Sequence, residues 1–496
     1  MSESKTSSYG NIFKTTFLFG FVQIFNIIVK VGLNKVVAML LGAEGMGIIG
    51  IYNSAIQMIR TGASLGVNQS AVRDISEANA CNDNVRFSRI ISLTNKVIWF
   101  TALLGMGVTI VLSPYLSKWY FGDETYTLAF IWISIVVALN ILSEGQLAVL
   151  KGMRQLRALA KASIWGSLVG LLAAIPFYYF FGRGGIIPSL AITAFAALFF
   201  SNLYVRRIDY TRTKLSVNEI WTEATPMVKM GVALMLVGFI GSVFDMIVAA
   251  FISNTGSLAD VGYYNAGAAI ISGYFGIVIT AMSTDYYPRI SAVHNDNEKL
   301  TDEMNKQSET GLVMIFPLVV LFVFLSPLFI NILYSSEFYE TNNYTDYAMI
   351  GTVIIVVSNC MGMILLAKQA SSIFIWSVLG QRVLLIGVYI LGYSKLGLTG
   401  LGLSYIGTGL IHILFMIVIL GHFYGIKLSS RVTRLLALVI AITLMTVFVR
   451  KIDAVLIKYS CGVLLLAFAC GYSYMYMKNN MGLNLISIVK HKILKK

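Results

Sequence analysis

Apolar runs of about 20 residues recur along the whole chain, divided by short polar connections, the pattern of α-helices that cross a bilayer. About fourteen such runs are centred near residues 25, 60, 102, 138, 171, 196, 240, 273, 320, 356, 382, 409, 441 and 466. A transmembrane β-barrel would show only weak alternating segments of about ten residues. The predicted fold is an all-α polytopic membrane protein. Its longest polar connections, around 206–228 and 288–310, are too short for a separate soluble domain.

Four ionisable side chains interrupt these runs: Lys30, Arg60, Asp245 and Arg382. A charge at the centre of a membrane helix costs at least about 2.5–3.5 kcal/mol, so such residues usually face a bundle interior or a wet cavity. Three of the four are cations, which points to an anionic ligand. Helical spacing at i, i+3, i+4 and i+7 extends each into a stripe. Gln23, Asn26, Lys30 and Asn34 share a face of the first helix, and Asn53, Gln57, Arg60, Ser64 and Asn68 run along nearly all of the second. Asn140, Glu144 and Lys151 align on the fourth, Gly238, Ser242 and Asp245 on the seventh, and Arg382 shares a face with Tyr389.

Two readings of the stripes stand side by side. They line a cavity in which Arg60 and Arg382 grip an anion bidentately while Lys30 adds a point charge. Alternatively they cement helix contacts, with Lys30 and Asp245 neutralising each other. Asp245 and Glu144 are the acids placed inside the membrane, where a proton or a sodium ion could be exchanged. Glu144 could equally pair with Lys151 or Arg154. His412 and His422 read as packing or interfacial residues.

Composition narrows the picture. Of 496 residues, 57% are hydrophobic and only 12% charged, with a mean hydropathy of +0.77. The excess of 37 Lys and Arg over 23 Asp and Glu falls mainly in alternate connections. The stretches 73–89, 151–161, 206–229, 289–306 and 427–434, both termini and Lys368 hold about 26 of the 37. Such asymmetry places both termini in the cytoplasm and argues against nucleic acid as a partner. The three basic residues at 450–458 are the exception, since they would lie outside. The four cysteines lack ligand spacing and read as small buried hydrophobes, with no metal site. The beginning shows no removable signal. The tail GLNLISIVKHKILKK reads as an interfacial basic helix.

An internal repeat underlies the pattern. LLGAEGMGIIGIYNSA (Leu40 to Ala55) has a counterpart in SLADVGYYNAGAAI (Ser257 to Ile270). Matching Gly47 to Gly262 gives an offset of 215, which pairs Lys30 with Asp245 and, after one inserted residue, Arg73 with Arg289. A weaker echo relates IWGSL at 164–168 to IWSVL at 375–379, followed by Gly185 and Gly397. Two parallel repeats are a common plan for transporters. The expected division is 1–210 and 211–425 as six-helix bundles, then 426–496 as two further helices and the tail.

The opening helix, LLGAEGMGIIGIY and LGVNQSAVRDISE, with DVGYYNAGAAI…MSTDYYPRIS and GRGGIIPSLAITA (Gly182 to Ala194), resembles the polysaccharide flippases. These belong to the multidrug/oligosaccharidyl-lipid/polysaccharide (MOP) exporter superfamily, and the similarity is greatest to O-antigen translocases. The resemblance covers essentially the whole chain and rests on order and spacing. It implies two six-helix bundles in a V around a central cavity, usually with two C-terminal helices. It implies movement of undecaprenyl-pyrophosphate-linked oligosaccharide between leaflets of the bacterial inner membrane, with membrane lipids and other polysaccharide-assembly proteins as partners. On that reading Arg60, Arg382 and Lys30 meet the pyrophosphate, and Gln23, Asn26, Asn53 and Gln57 meet sugar hydroxyls. Asp245 and Glu144 would couple transport to H+ or Na+, with no other cofactor. No GxxxxGK[ST] phosphate loop occurs, consistent with coupling to a gradient. A peptidoglycan-precursor flippase shares the anionic carrier, whereas a cation-exporting multidrug antiporter should carry an acidic cavity. A membrane enzyme is the distant alternative. A polymerase or ligase needs a large periplasmic loop, and a glycosyltransferase needs paired carboxylates better sheltered than Asp296 and Glu298.

Overall fold

The computed structural model of the protein describes residues 25–482 except 82–83, 209, 212 and 214. Every regular element among them is helical. Residues 25–40 form α1, followed by α2 (Gly42–Ala63), α3 (Val67–Ala80), α4 (Asn84–Phe121), α5 (Thr127–Gly152), α6 (Leu156–Phe181) and α7 (Ile186–Val205). Then come α8 (Val217–Thr255), α9 (Leu258–Ala268), α10 (Gly276–Ala292), α11 (Asn297–Leu333), α12 (Thr341–Ala367), α13 (Ser371–Tyr424), α14 (Ser430–Arg450) and α15 (Val455–Asn480). Ten stretches among the described residues are long and apolar enough to cross a membrane. Two of them, Leu156–Val205 and Ser372–Tyr424, each hold two helices; α1 and the striped α2 match the two remaining expected runs but are not among the ten. The predicted interfacial tail helix lies outside the described residues.

The chain divides into two compact units, Met1–Gly262 with Leu333–Ser335, and Tyr263–Ile332 with Ser336–Lys496. In the first unit α2 runs against α8 and meets the start of α9, and glycine permits the closest approaches. A Cβ on Gly47 would lie 1.9 Å from the Leu258 carbonyl oxygen, and one on Gly262 would lie 2.0 Å from that of Ala43. The two glycines matched by the sequence repeat therefore meet at a single crossing. Gly47→Val is expected to lower stability by about 1–3 kcal/mol, because the helices must part. Gly241→Val, where a Cβ meets nothing within 4 Å, is expected to stay within about 0.5 kcal/mol. Thermal unfolding of the two variants in one detergent checks this.

The 215-residue offset recurs in backbone geometry. Arg154 and Gln369, both non-glycine, sit at φ 55 and 57. The turns around them use matching bonds, from the N–H of Met153, Arg154 and Gln155 to the carbonyls of Val149, Lys151 and Leu150. In the later turn Lys368, Gln369 and Ala370 bond to Ile364, Leu366 and Leu365. Gly182 (φ 53, ψ −129) ends α6, and Gly397 (φ 57, ψ −137) breaks α13, the same conformation 215 residues apart. Gly182, not Gly185, is thus the counterpart of Gly397. Both occupy a region that only glycine enters readily. The IWGSL echo is out of step with this register by about one helical turn. The one inserted residue has a structural counterpart as well. Ala269–Phe275, between α9 and α10, is wound as a π-helix, the wider turn that takes up an extra residue.

In the first unit the connection from α7 to α8 is fastened along one face of α4. Ser88 and Ser92 hydroxyls accept the backbone N–H of Thr211 and Thr213 at 3.2 and 3.1 Å, and Lys96 Nζ donates to the Leu215 carbonyl at 2.9 Å. Ser216 then opens α8 with a reciprocal capping box to Glu219. The Ser216 backbone N–H and hydroxyl, with Arg89 beyond them, hold the Glu219 carboxyl below its usual range. Arg89 spans Glu219 and Glu223, at 3.0 and 2.9 Å, and so ties α4 to α8.

In the second unit α12 lies in the most buried of the candidate spans and packs mainly against α13. Asp296 caps α11 by accepting the N–H of Glu298 and Lys299 at 3.1 and 3.0 Å. The cysteines are less uniform than expected. Cys360 is buried and Cys461 half-buried, but Cys81 and Cys470 are exposed.

Candidate functional site

Arg60, near the end of α2, forms the centre of a polar network in the first unit. Its Nη1 lies 2.6 Å from Oε1 of Glu144 on α5, with the two side chains 23% and 32% exposed. Its Nη2 donates to Gln57 one turn earlier. Asn68 on α3 donates to the second Glu144 oxygen at 3.2 Å. The carboxylate is thus bound by a guanidinium and an amide, which lowers the cost of placing either charge in a membrane helix. A cavity of about 430 Å³ opens beside Glu144 and reaches Lys151. Glu144 pairs with Arg60 rather than with Lys151 or Arg154.

The α2 stripe is not one continuous face. Leu65 (φ 49) and Gly66 (φ 63) take left-handed backbone conformations and end the helix. Ser64 becomes the C-cap of α2, and Asn68 belongs to α3. Asn68 rejoins the network because the turn brings α3 back toward Glu144. Asn53 and Gln57 are exposed on α2.

The other predicted residues have different surroundings. Gln23 lies outside the described residues. Asn26 on α1 accepts a hydrogen bond from Ser167 on α6 at 3.1 Å, a helix-to-helix contact. Lys30 is exposed on α1. Asp245, exposed on α8, is close enough to act electrostatically on Tyr120, whose hydroxyl shares a 2.8 Å hydrogen bond with Ser54 of α2. Arg382 is half-buried on α13 in the second unit, near enough to the half-buried Tyr405 phenol to act on it electrostatically. His412 bonds Ser358 of α12, in keeping with a packing role.

Two features escape a reading by helical period. Asp346, in the polar opening TNNYTDY of α12, is a deeply buried acid that pairs with Arg450 at the end of α14. Arg450 Nη1 also reaches Ser326 on α11 and, at 3.1 Å, the Asn342 side-chain oxygen. Arg450 thus belongs to the interior, which removes one cation from the discordant 450–458 connection. Lys96, two turns past Arg89 on α4, is a further cation immediately before the apolar run that begins at Val97. Among the described residues, no group of three His, Cys, Asp or Glu is placed to hold a metal ion.

Comparisons with known proteins agree with this architecture. The family described as "Polysaccharide biosynthesis protein" matches residues 36–343. The chain is 21% identical over 375 residues to a lipid III flippase of Escherichia coli (strain K12), covering 72% of this chain and 86% of that one. A lipid III flippase of Shigella flexneri matches equally. Among solved structures, the lipid II flippase MurJ in an inward closed conformation superposes with a TM-score of 0.67 at 14% identity, over 95% of this chain and all of that one. An inward-facing multidrug resistance MATE family transporter of the MOP superfamily gives 0.64 at 14% identity, over 83% and 95%. The fold is that of the MurJ and MATE transporters.

Proposed function

This chain belongs to the polysaccharide biosynthesis protein family, and on that premise we propose that it is a flippase for an undecaprenyl-pyrophosphate-linked oligosaccharide. The cargo would be an O-antigen or related surface-polysaccharide repeat unit, moved from the cytoplasmic to the periplasmic leaflet of the inner membrane by alternating access. Both termini would lie in the cytoplasm, on the side of the basic connections. The observation that carries the reading is Arg60, bonded to the exposed amide of Gln57, on the same helical face as the exposed Asn53 and balanced by Glu144.

A guanidinium paired with one carboxylate can exchange that partner for a phosphate of similar geometry. Sugar hydroxyls find tolerant partners in Asn53 and Gln57, while Lys30 adds positive charge in the same unit; Arg382 is a separate candidate phosphate contact within the second unit. Glu144, released when a pyrophosphate takes Arg60, would need a proton or sodium ion to offset its charge. Cargo and coupling ion would then be linked through one ion pair, with Asp245 as a second exchanging acid. Asp245→Asn is expected to reduce the dependence of export on the proton or sodium gradient. Gradient-dependent export identical to wild type would remove Asp245 from coupling.

A peptidoglycan-precursor flippase is the second reading, since its carrier presents the same pyrophosphate to Arg60. The deciding experiment identifies the lipid-linked sugar left on the cytoplasmic leaflet when the protein is depleted. A surface-polysaccharide repeat unit supports the first reading. Peptidoglycan precursor supports the second, and accumulation of neither rejects both.

A further inference from the structure

A second polar cavity lies in the first unit, apart from the Arg60 network. It has a volume of about 530 Å³ and is walled by α4, α5, α7 and the connection that follows α7. Ligand sites commonly measure about 300–1,000 Å³. Its polar wall carries Lys96, Arg206, Asn202 and the Asn95–Gln146 pair, joined at 3.3 Å, and no carboxylate is among the described residues that line it. Lys96 spends one of its three donors on the Leu215 carbonyl, leaving two for a ligand. Arg206 is exposed, and its guanidinium forms a planar fork suited to phosphate. Among the described residues that line it, the two cations make the pocket net positive, with the chemistry of a phosphate site.

The rim indicates what the phosphate is attached to. Trp99, on the cavity wall, is 56% exposed, as expected of an indole at the membrane–water boundary. One turn further along α4, Leu103 is 62% exposed, and on α7 Phe199 and Phe195 are 52% and 59% exposed. Apolar surface therefore continues from the polar cavity along both flanking helices. A free anion would gain nothing from it, whereas acyl chains would cover it.

We propose that the cavity between α4, α5 and α7 binds the phosphate headgroup of an anionic membrane lipid, with Lys96 and Arg206 as the phosphate contacts. The site does not depend on the flippase reading, because it needs no cargo. By lying against the fastened α7–α8 connection, bound lipid would also brace that connection on α4.

The test uses the full chain purified in a neutral detergent and titrated with phosphatidylglycerol, phosphatidylethanolamine or water-soluble glycerol 1-phosphate. Lipid retention is read by native mass spectrometry and thermal shift. Phosphatidylglycerol is expected to be retained and to raise the melting temperature, with Lys96→Gln/Arg206→Gln weakening retention at least tenfold. Lys118→Gln, which alters an exposed cation paired with Glu124, should leave retention unchanged. Arg206→Gln alone leaves the bond from Lys96 to Leu215 intact, so its expected loss of at least threefold keeps the test decisive if the double variant does not fold. Wild-type retention in Arg206→Gln and in the folded double variant would overturn the site. Equal retention of phosphatidylethanolamine would remove the role of net charge. Equal stabilisation by glycerol 1-phosphate would make the pocket one for soluble anions, against the proposal.

Discussion

Arg60→Ala is expected to reduce export of lipid-linked sugar at least tenfold while the protein still inserts and accumulates normally. Removing the guanidinium leaves Glu144 with Asn68 as its remaining side-chain partner. Truncating one member of a hydrogen-bonded charge pair costs about 2–5 kcal/mol where the pair is buried, and this half-buried pair should fall toward the lower end. Loss of export alone would not separate a structural role from a binding role. The charge swap Arg60→Glu/Glu144→Arg does, because it keeps an ion pair and moves the cation from α2 to α5. If Arg60 meets the cargo beside Asn53 and Gln57, the swap should restore thermal stability but not export. Full recovery of surface polysaccharide would reduce Arg60 to a helix staple and sink the proposed phosphate contact. Arg382→Ala is expected to act in the same direction as Arg60→Ala.

The largest loss of stability is expected at Asp346 and Arg450. The side chains are 2% and 8% exposed, and the pair joins α12 to α14 in the second unit. Either single alanine variant should be destabilised by about 3–5 kcal/mol, the cost of leaving a buried charge without its partner. The carboxylate has a second buried oxygen, Oδ1, with no hydrogen-bond partner among the described residues. The pair is therefore incompletely satisfied, and an apolar replacement should compete well with it. Asp346→Leu/Arg450→Met is expected to recover most of the lost stability in thermal unfolding. A double variant as unstable as either single would mean that the cluster is needed for more than its charge balance.

The number and type of the helices are legible in the sequence, because a membrane span must satisfy its own backbone and is therefore long, apolar and easily counted. The polar stripe of α2 is legible for the same reason, since period alone puts Gln57 and Arg60 on one face. Period says nothing about which neighbour presents a partner. Glu144 is 84 positions from Arg60, whereas Lys151 and Arg154, the partners that sequence proximity offers, are not the ones it meets. Asp346 was hidden by its setting: TNNYTDY reads as a hydrated connection until Arg450 is seen beside it. The break at Leu65–Gly66 is a backbone event, which side-chain periodicity does not register. Asn26 shows the opposite limit, an amide on the expected face whose observed bond is to a neighbouring helix.

The π-wound segment Ala269–Phe275 bears on how a membrane helix can take up an extra residue. One residue inserted into an α-helix would rotate everything beyond it by about 100°, from 3.6 residues per turn. In a membrane that rotation would swing the polar side of the remaining helix into hydrocarbon. Winding the surplus residue into one wide turn confines the disturbance to that turn. The segments on either side can then keep their facing, Gly262 against Ala43 before it and Arg289 beside Glu303 after it. A membrane chain can therefore change length inside a bilayer, and not only in its loops, without turning a helix inside out.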